Sequence, residues 1–89
     1  MSIHSSHPAI IKRLKRAGGH LASIITMLEE GRPCVEIAQQ MQAVESAINS
    51  AKKALIHDHI GECLEHVGEQ STDHAHDIVS EFRAIAKYL

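Results

Sequence analysis

Bulky aromatic residues are nearly absent from this 89-residue chain, which has one tyrosine, one phenylalanine and no tryptophan. The apolar share of 44% therefore comes mostly from alanine, isoleucine, leucine and valine. A chain of this length buries only about 60–65% of the surface that it exposes when unfolded, so a core of such small side chains is marginal on its own. These scarcities predict a single domain, residues 1–89, that oligomerises for stability.

Cysteines and long apolar runs are scarce too. Two cysteines exclude a disulfide scaffold, no run approaches the ~18 apolar residues of a membrane span, and no signal peptide opens the chain. We therefore expect a cytoplasmic protein with reduced thiols and no membrane partner. Catalytic motifs are missing as well, since the chain has no phosphate-binding glycine loop, nucleophile elbow or convincing acid pair. The sequence predicts a protein that is not an enzyme.

Histidine, by contrast, is abundant, with eight copies. Imidazoles together with two thiols are the donors that transition metals prefer. Composition therefore favours a metal site, although histidines scattered over the surface would produce the same count.

Apolar residues recur at intervals of three and four along most of the chain, which predicts helices and no strands. We expect a flexible segment 1–7 and then helices at about 8–30, 34–67 and 72–88. Pro8 suits the first position of a helix, and Gly68 suits the end of one. The fold class is therefore all-α, with a short, a long and a short helix.

Each of the first two helices carries an apolar stripe that we expect to be buried. The adjacent Gly18 and Gly19 predict a close approach of another backbone to the first helix. The stripe residues are Ile10, Leu14, Ala17, Leu21, Ile24, Ile25 and Leu28 in the first helix, and Ile37, Met41, Val44, Ile48, Ala51 and Leu55 in the second.

Cys34, His59 and Cys63 share one face of the long helix. At about 100° per residue, His59 and Cys63 each fall within ~20° of Cys34. His59 and Cys63 are also four residues apart, so both can bind one metal ion. Cys34 lies ~37 Å from His59 along the helix and cannot join them within its own chain.

An identical helix placed antiparallel would bring Cys34 of one chain beside His59 and Cys63 of the other. Two equivalent sites would then form across a two-fold interface. The alternative, which spacing alone leaves open, is that both cysteines are small core residues and His59 is an ordinary polar one.

Positive charge is concentrated near the start of the chain. Residues 1–33 hold five Lys or Arg against two acids, whereas residues 57–89 hold two against seven. A basic cluster lies on the face of the first helix opposite its apolar stripe and can therefore contact phosphates. Its members are Lys12, Arg13, Lys15 and Arg16. Four cations on a solvated helix face are also common without any nucleic-acid partner.

Three stretches of the sequence resemble the CsoR/RcnR family of bacterial metal-sensing repressors: "RLKRAGGHL" at 13–21, "CVEIAQQMQAVESAINSAKKALIHDHIGEC" at 34–63, and the closing "IAKYL". The match includes Gln39-Gln40 and Ala43-Val44, together with the order and spacing of the cysteines and His59. The resemblance extends from about Pro8 to Leu89.

The resemblance implies three-helix protomers that form an antiparallel dimer and a flat dimer-of-dimers tetramer. It implies the same metal site between subunits, operator DNA with a G/C tract as partner, and release of that DNA on ligand binding, which starts transcription of an efflux system. The family's basic positions correspond to Arg13 and Arg16. Further phosphate contacts are expected from Lys12, Lys15, Lys52 and Lys53.

The effector is predicted to be Ni(II) or Co(II), with Cu(I) as the alternative. Two thiolates and one imidazole suit trigonal Cu(I), and an added imidazole from His4 or His7 suits square-planar Ni(II). "HPAIIKRLKRAGGHL" and "GRPC" most resemble the nickel- and cobalt-responsive DmeR-type subgroup. A formaldehyde-responsive repressor is less favoured because Ser2 stands where those relatives have proline. A metal-storage or delivery protein and a purely structural helical module are further alternatives.

Overall fold

The structure of the chain is a computed structural model that describes residues 6–67 and 72–89, with side chains described for 6–61 and 77–89. It contains α1 (His7–Glu29), α2 (Cys34–Val67) and α3 (Thr72–Ala86). No strand occurs within these ranges, and the all-α fold class is confirmed. None of the described helices is long and apolar enough to cross a membrane.

The start of α1 differs from the sequence prediction, because His7 already belongs to the helix and not to a preceding flexible segment. Pro8 explains where the helix begins, since the first turn has no use for the N–H that proline lacks. Ser6 occupies the N-cap position without a side-chain capping hydrogen bond.

The end of α1 is fixed by backbone geometry. Gly31 adopts a φ of 70°, in the left-handed region that favours glycine. Its N–H donates to Leu28 O at 3.1 Å, and the Arg32 N–H donates to Met27 O at 3.0 Å. These two bonds form a Schellman motif, which satisfies the last carbonyl groups of α1. The chain then turns within a few residues, so α2 runs back along α1 as an antiparallel hairpin.

The hairpin is held together by buried residues that repeat every seven positions on both helices. α2 also contacts α3, and Ile56 of α2 is only 1% exposed. A seven-residue repeat is the pattern of helices that pack along their length, as in a coiled coil. The buried residues of the hairpin are Ile10, Ala17 and Ile24 on α1, and Ile37, Val44 and Ala51 on α2.

The other half of each predicted apolar stripe is exposed in the single protomer, so the hairpin alone buries only part of each face. The physical reason is that one partner helix covers only one line of side chains, and the neighbouring line at the next heptad position stays open. The exposed residues are Leu14, Leu21, Ile25 and Leu28 on α1, and Met41, Ile48 and Leu55 on α2.

The predicted close approach at Gly18 and Gly19 is also absent from the described protomer. A Cβ built on either glycine would meet no atom within 4 Å. Both positions are exposed.

Candidate functional site

Cys34 is the first residue of α2, directly after the turn that closes the hairpin. Its thiol is exposed and forms no disulfide. Beside it, Arg32 and Glu36 form an ion pair across one helical turn. Cys34 is thus presented to solvent at an end of the hairpin whose backbone is well defined.

Cys34 also belongs to the exposed apolar line of α2. Met41, Ile48 and Leu55 follow it at steps of seven, and their side chains are 54%, 47% and 37% exposed. Together with Leu21, Met41 and Ile48 line an open groove of about 830 Å³ between α1 and α2. An uncovered apolar surface of this kind leads from Cys34 towards the far end of α2.

His59 lies at that far end and is half-buried. Cys63 follows it by four residues within α2, and its side chain is outside the described part of the structure. The helical rise separates Cys34 from His59 by about 37 Å, so one protomer does not bring them together. Accordingly, no three His, Cys, Asp or Glu among the described residues of the protomer could hold a metal ion.

The start of α1 lies at the same end of the protomer as His59. The antiparallel register follows from His20, which contacts Gln40, and from Ile24, which packs among the core residues of α2. This register places His7, itself half-buried, opposite residues 53–54 of α2, between one and two helical turns before His59. His4 lies outside the described residues.

The same register brings two groups of cations into one half of the hairpin, although some 40 residues separate them in sequence. Lys52 and Lys53 lie opposite residues 7–9 of α1, about one helical turn from Lys12. All six side chains are exposed, and within the described part of the chain none of them forms an ion pair. The six are Lys12, Arg13, Lys15, Arg16, Lys52 and Lys53.

Two polar features escaped the sequence reasoning. The first is His20, which is half-buried and hydrogen-bonded to Gln40. Asp58 has one carboxylate oxygen that is buried without a hydrogen-bond partner among the described residues. His20 and Gln40 are about equally far from the turn in sequence, and this spacing could have indicated their contact. Nothing in the sequence indicated the buried oxygen of Asp58. His57, two residues before His59, is exposed.

Comparison with known proteins gives one family and several relatives. The family model described as "Metal-sensitive transcriptional repressor" matches residues 6–87. The copper-sensing transcriptional repressor CsoR of Mycobacterium ulcerans (strain Agy99) is 41% identical over 56 residues, which is 63% of this chain and 48% of that protein. CsoR of Bacillus subtilis (strain 168) is 33% identical over 78 residues, or 82% of this chain and 77% of that protein.

The chain thus spans about half the length of the mycobacterial relatives that it matches. Among solved structures, the nickel-responsive transcriptional regulator InrS superimposes with a TM-score of 0.81 at 26% sequence identity. The superposition covers 92% of this chain and 91% of that one.

Proposed function

The chain belongs to the family of metal-sensitive transcriptional repressors, and we propose that it binds operator DNA without metal and releases it on binding Ni(II) or Co(II). Release would permit transcription of a metal-efflux gene. The observation that carries the proposal is the position of the candidate ligands at opposite ends of one exposed apolar line on α2.

A second copy of the chain is the partner that this line requires. Ile48 lies near the midpoint between Cys34 and the pair His59 and Cys63, and it is 47% exposed. Two antiparallel α2 helices crossing near Ile48 would bury the apolar line and put Cys34 of each copy beside His59 and Cys63 of the other. The small core of the single protomer supports the same conclusion, because a dimer adds the apolar burial that the hairpin lacks.

The donor chemistry fits a late first-row transition metal. Cys34, together with His59 and Cys63 of the second copy, supplies two thiolates and an imidazole. His4 or His7 would add a nitrogen donor, because the start of α1 lies at the His59 end of its own protomer. A set of two thiolates and two imidazoles favours Ni(II) or Co(II), whereas the three-ligand set without an N-terminal histidine favours Cu(I).

Cu(I) is the second candidate, and a specific observation favours it. The relatives from M. ulcerans and B. subtilis are copper-sensing repressors, and two soft thiolates with one imidazole are enough for Cu(I) without any N-terminal histidine. The two candidates therefore differ in whether His4 and His7 take part.

The DNA surface is proposed to be the six exposed cations in the half of the hairpin that contains the start of α1. Each Lys or Arg that neutralises a phosphate releases condensed counterions, which gives DNA binding its affinity and its salt dependence. A metal-storage protein has no need of such a cluster, so the cations favour the repressor over storage or delivery.

The proposal is tested on the full chain by fluorescence anisotropy with a duplex from the promoter of its own gene. We expect tight binding by the metal-free protein and a loss of affinity of about 100-fold with the effector, a coupling of ~3 kcal/mol. Parallel titrations with Ni(II), Co(II) and Cu(I), followed by absorption spectra, identify the metal. If none of the three metals changes the affinity for the duplex, the proposal is overturned. If only Cu(I) releases the DNA, the second candidate is selected.

A further inference from the structure

His20 and Gln40 form a hydrogen bond across the α1/α2 interface. The Nε2–H of His20 donates to Oε1 of Gln40 at a distance of 2.5 Å, and both side chains are half-buried. The side-chain hydrogen bonds of Ser23 and Thr26, by contrast, stay within one turn of helix. The buried contacts between the two helices are otherwise apolar.

The position of His20 links this bond to the proposed DNA surface. His20 follows Arg13 by seven residues and Arg16 by four, so the three side chains are neighbours on one side of α1. A contact that fixes His20 therefore also fixes the rotation of α1 about its own axis. That rotation decides where the guanidinium groups of Arg13 and Arg16 point.

Apolar packing fixes this rotation only weakly. The middle residue of the buried line on α1 is Ala17, whose methyl group offers little resistance to small rotations or slides. Apolar burial is also non-directional. A hydrogen bond weakens steeply with distance and angle, and a half-buried polar group that loses its partner destabilises the structure. The His20–Gln40 bond therefore selects one arrangement of α1 on α2.

We propose that His20 and Gln40 are positioning residues for DNA binding: their hydrogen bond holds α1 so that Arg13 and Arg16 face DNA together with Lys52 and Lys53. The inference rests on the proposed function and deepens it, because Gln40 also connects to the ligand end. Gln40 follows Cys34 by less than two turns of α2, or about 9 Å. A displacement of Cys34 on ligation therefore reaches Gln40 and loosens the bond.

Thermodynamic linkage gives the proposal a distinctive signature. If the bond belongs to the DNA-binding state, its loss weakens DNA binding by the metal-free protein and leaves the metal-bound protein nearly unchanged. The ratio of the two DNA affinities then falls, and metal affinity in the absence of DNA rises. Loss of a purely structural contact would instead lower the affinities for DNA and for metal together.

The test compares His20→Leu and Gln40→Leu with two matched controls. His20→Gln keeps a donor, because its amide nitrogen reaches the position of Nε2. Gln39→Leu makes the same chemical change as Gln40→Leu at an exposed neighbour. DNA affinity is measured by anisotropy with and without Ni(II), metal affinity by competition with a chelator, and folding by circular dichroism.

For both leucine variants we expect the metal-free affinity for DNA to fall about 5- to 10-fold and the metal affinity to rise, a size typical of allosteric coupling. His20→Gln and Gln39→Leu should behave as wild type. If His20→Leu binds DNA as wild type does, or if Gln39→Leu has the same effect as Gln40→Leu, the positioning role is overturned while the proposed function stands. If the wild-type chain binds no DNA, both are overturned.

Discussion

The two ends of α2 differ in how they are built. At the Cys34 end, local backbone hydrogen bonds and the left-handed Gly31 define the turn. At the His59 end, α2 lies near the start of α1, which is distant in sequence, and α2 also contacts α3. One end is therefore set by nearby residues, whereas the other depends on tertiary contacts.

This difference suggests how the proposed site could act as a switch. A ligand set shared between copies joins the Cys34 end of one protomer, which local bonds define, to the His59 end of the other, which depends on tertiary contacts. Ligation can therefore act at both ends, because it displaces Cys34 towards the second copy and draws the start of α1, which leads directly into the cations, towards the site.

The largest effect is expected when the Cys34 end loses its ligand. Cys34→Ala removes one thiolate from each site of the proposed dimer. Loss of a group that only orients a metal ligand typically lowers metal affinity about 10- to 100-fold, so loss of the ligand itself should lower Ni(II) affinity at least ~100-fold. The variant should stay bound to DNA at metal concentrations that release wild type. Absorption spectra and anisotropy measure the two effects. If metal releases DNA from the variant as readily as from wild type, the proposed role of Cys34 as a ligand is wrong.

Mixing chains distinguishes a shared site from one within a chain. Equal amounts of Cys34→Ala and Cys63→Ala protein should exchange subunits, and each mixed dimer should regain one intact site. Random pairing predicts about a quarter of the wild-type metal capacity. The spectrum of the mixture measures this capacity, and each variant alone is the control. A mixture that binds no more metal than its components would mean that the site is not shared.

The next effect concerns the two arginines near the start of α1. Replacing both Arg13 and Arg16 with alanine should lower DNA affinity about 10- to 100-fold and reduce the slope of log affinity against log salt by roughly 0.9 per lost phosphate contact. Metal affinity should not change. Arg83→Ala, at an exposed arginine on α3, is the matched control. An unchanged salt slope would remove Arg13 and Arg16 from the DNA surface.

A smaller effect is expected from the N-terminal histidines. The double variant His4→Ala with His7→Ala should still bind metal through the three remaining ligands but release DNA poorly, because nothing then draws the start of α1 towards the site. His57→Ala, at an exposed histidine of α2, serves as the control. If the double variant releases DNA as wild type does, the Cu(I) alternative with three ligands becomes the better hypothesis.

Local patterns predicted the three helices and their order, because proline, glycine and apolar spacing act within a few residues. The division of each stripe into a buried and an exposed line was not predictable in this way. Ile48 and Val44 are equally apolar, and only the packing of α1 decides that Val44 is buried and Ile48 exposed. The candidate ligands were found from their spacing on one helix, whereas the His20–Gln40 bond depends on the register between two helices.

The smallest expected effect tests the local character of the Cys34 end. Gly31→Ala forces a side chain into a backbone conformation with φ of 70°, although no atom lies within 4 Å of the added Cβ. The penalty is therefore conformational, and we expect the free energy of unfolding to fall by about 1 kcal/mol. Gly19→Ala, in open space within α1, should instead stabilise the protein by up to ~1 kcal/mol through helix propensity.

Urea denaturation at one fixed protein concentration measures both changes, because the stability of an oligomer depends on concentration. Metal affinity of the Gly31→Ala protein should change by no more than a few-fold, since the turn positions Cys34 without being part of the ligand set. Equal stability of the two alanine variants would mean that the left-handed turn at Gly31 does not define this end. The contrast between the Cys34 end, built by local bonds, and the His59 end, built by tertiary contacts, would then be lost.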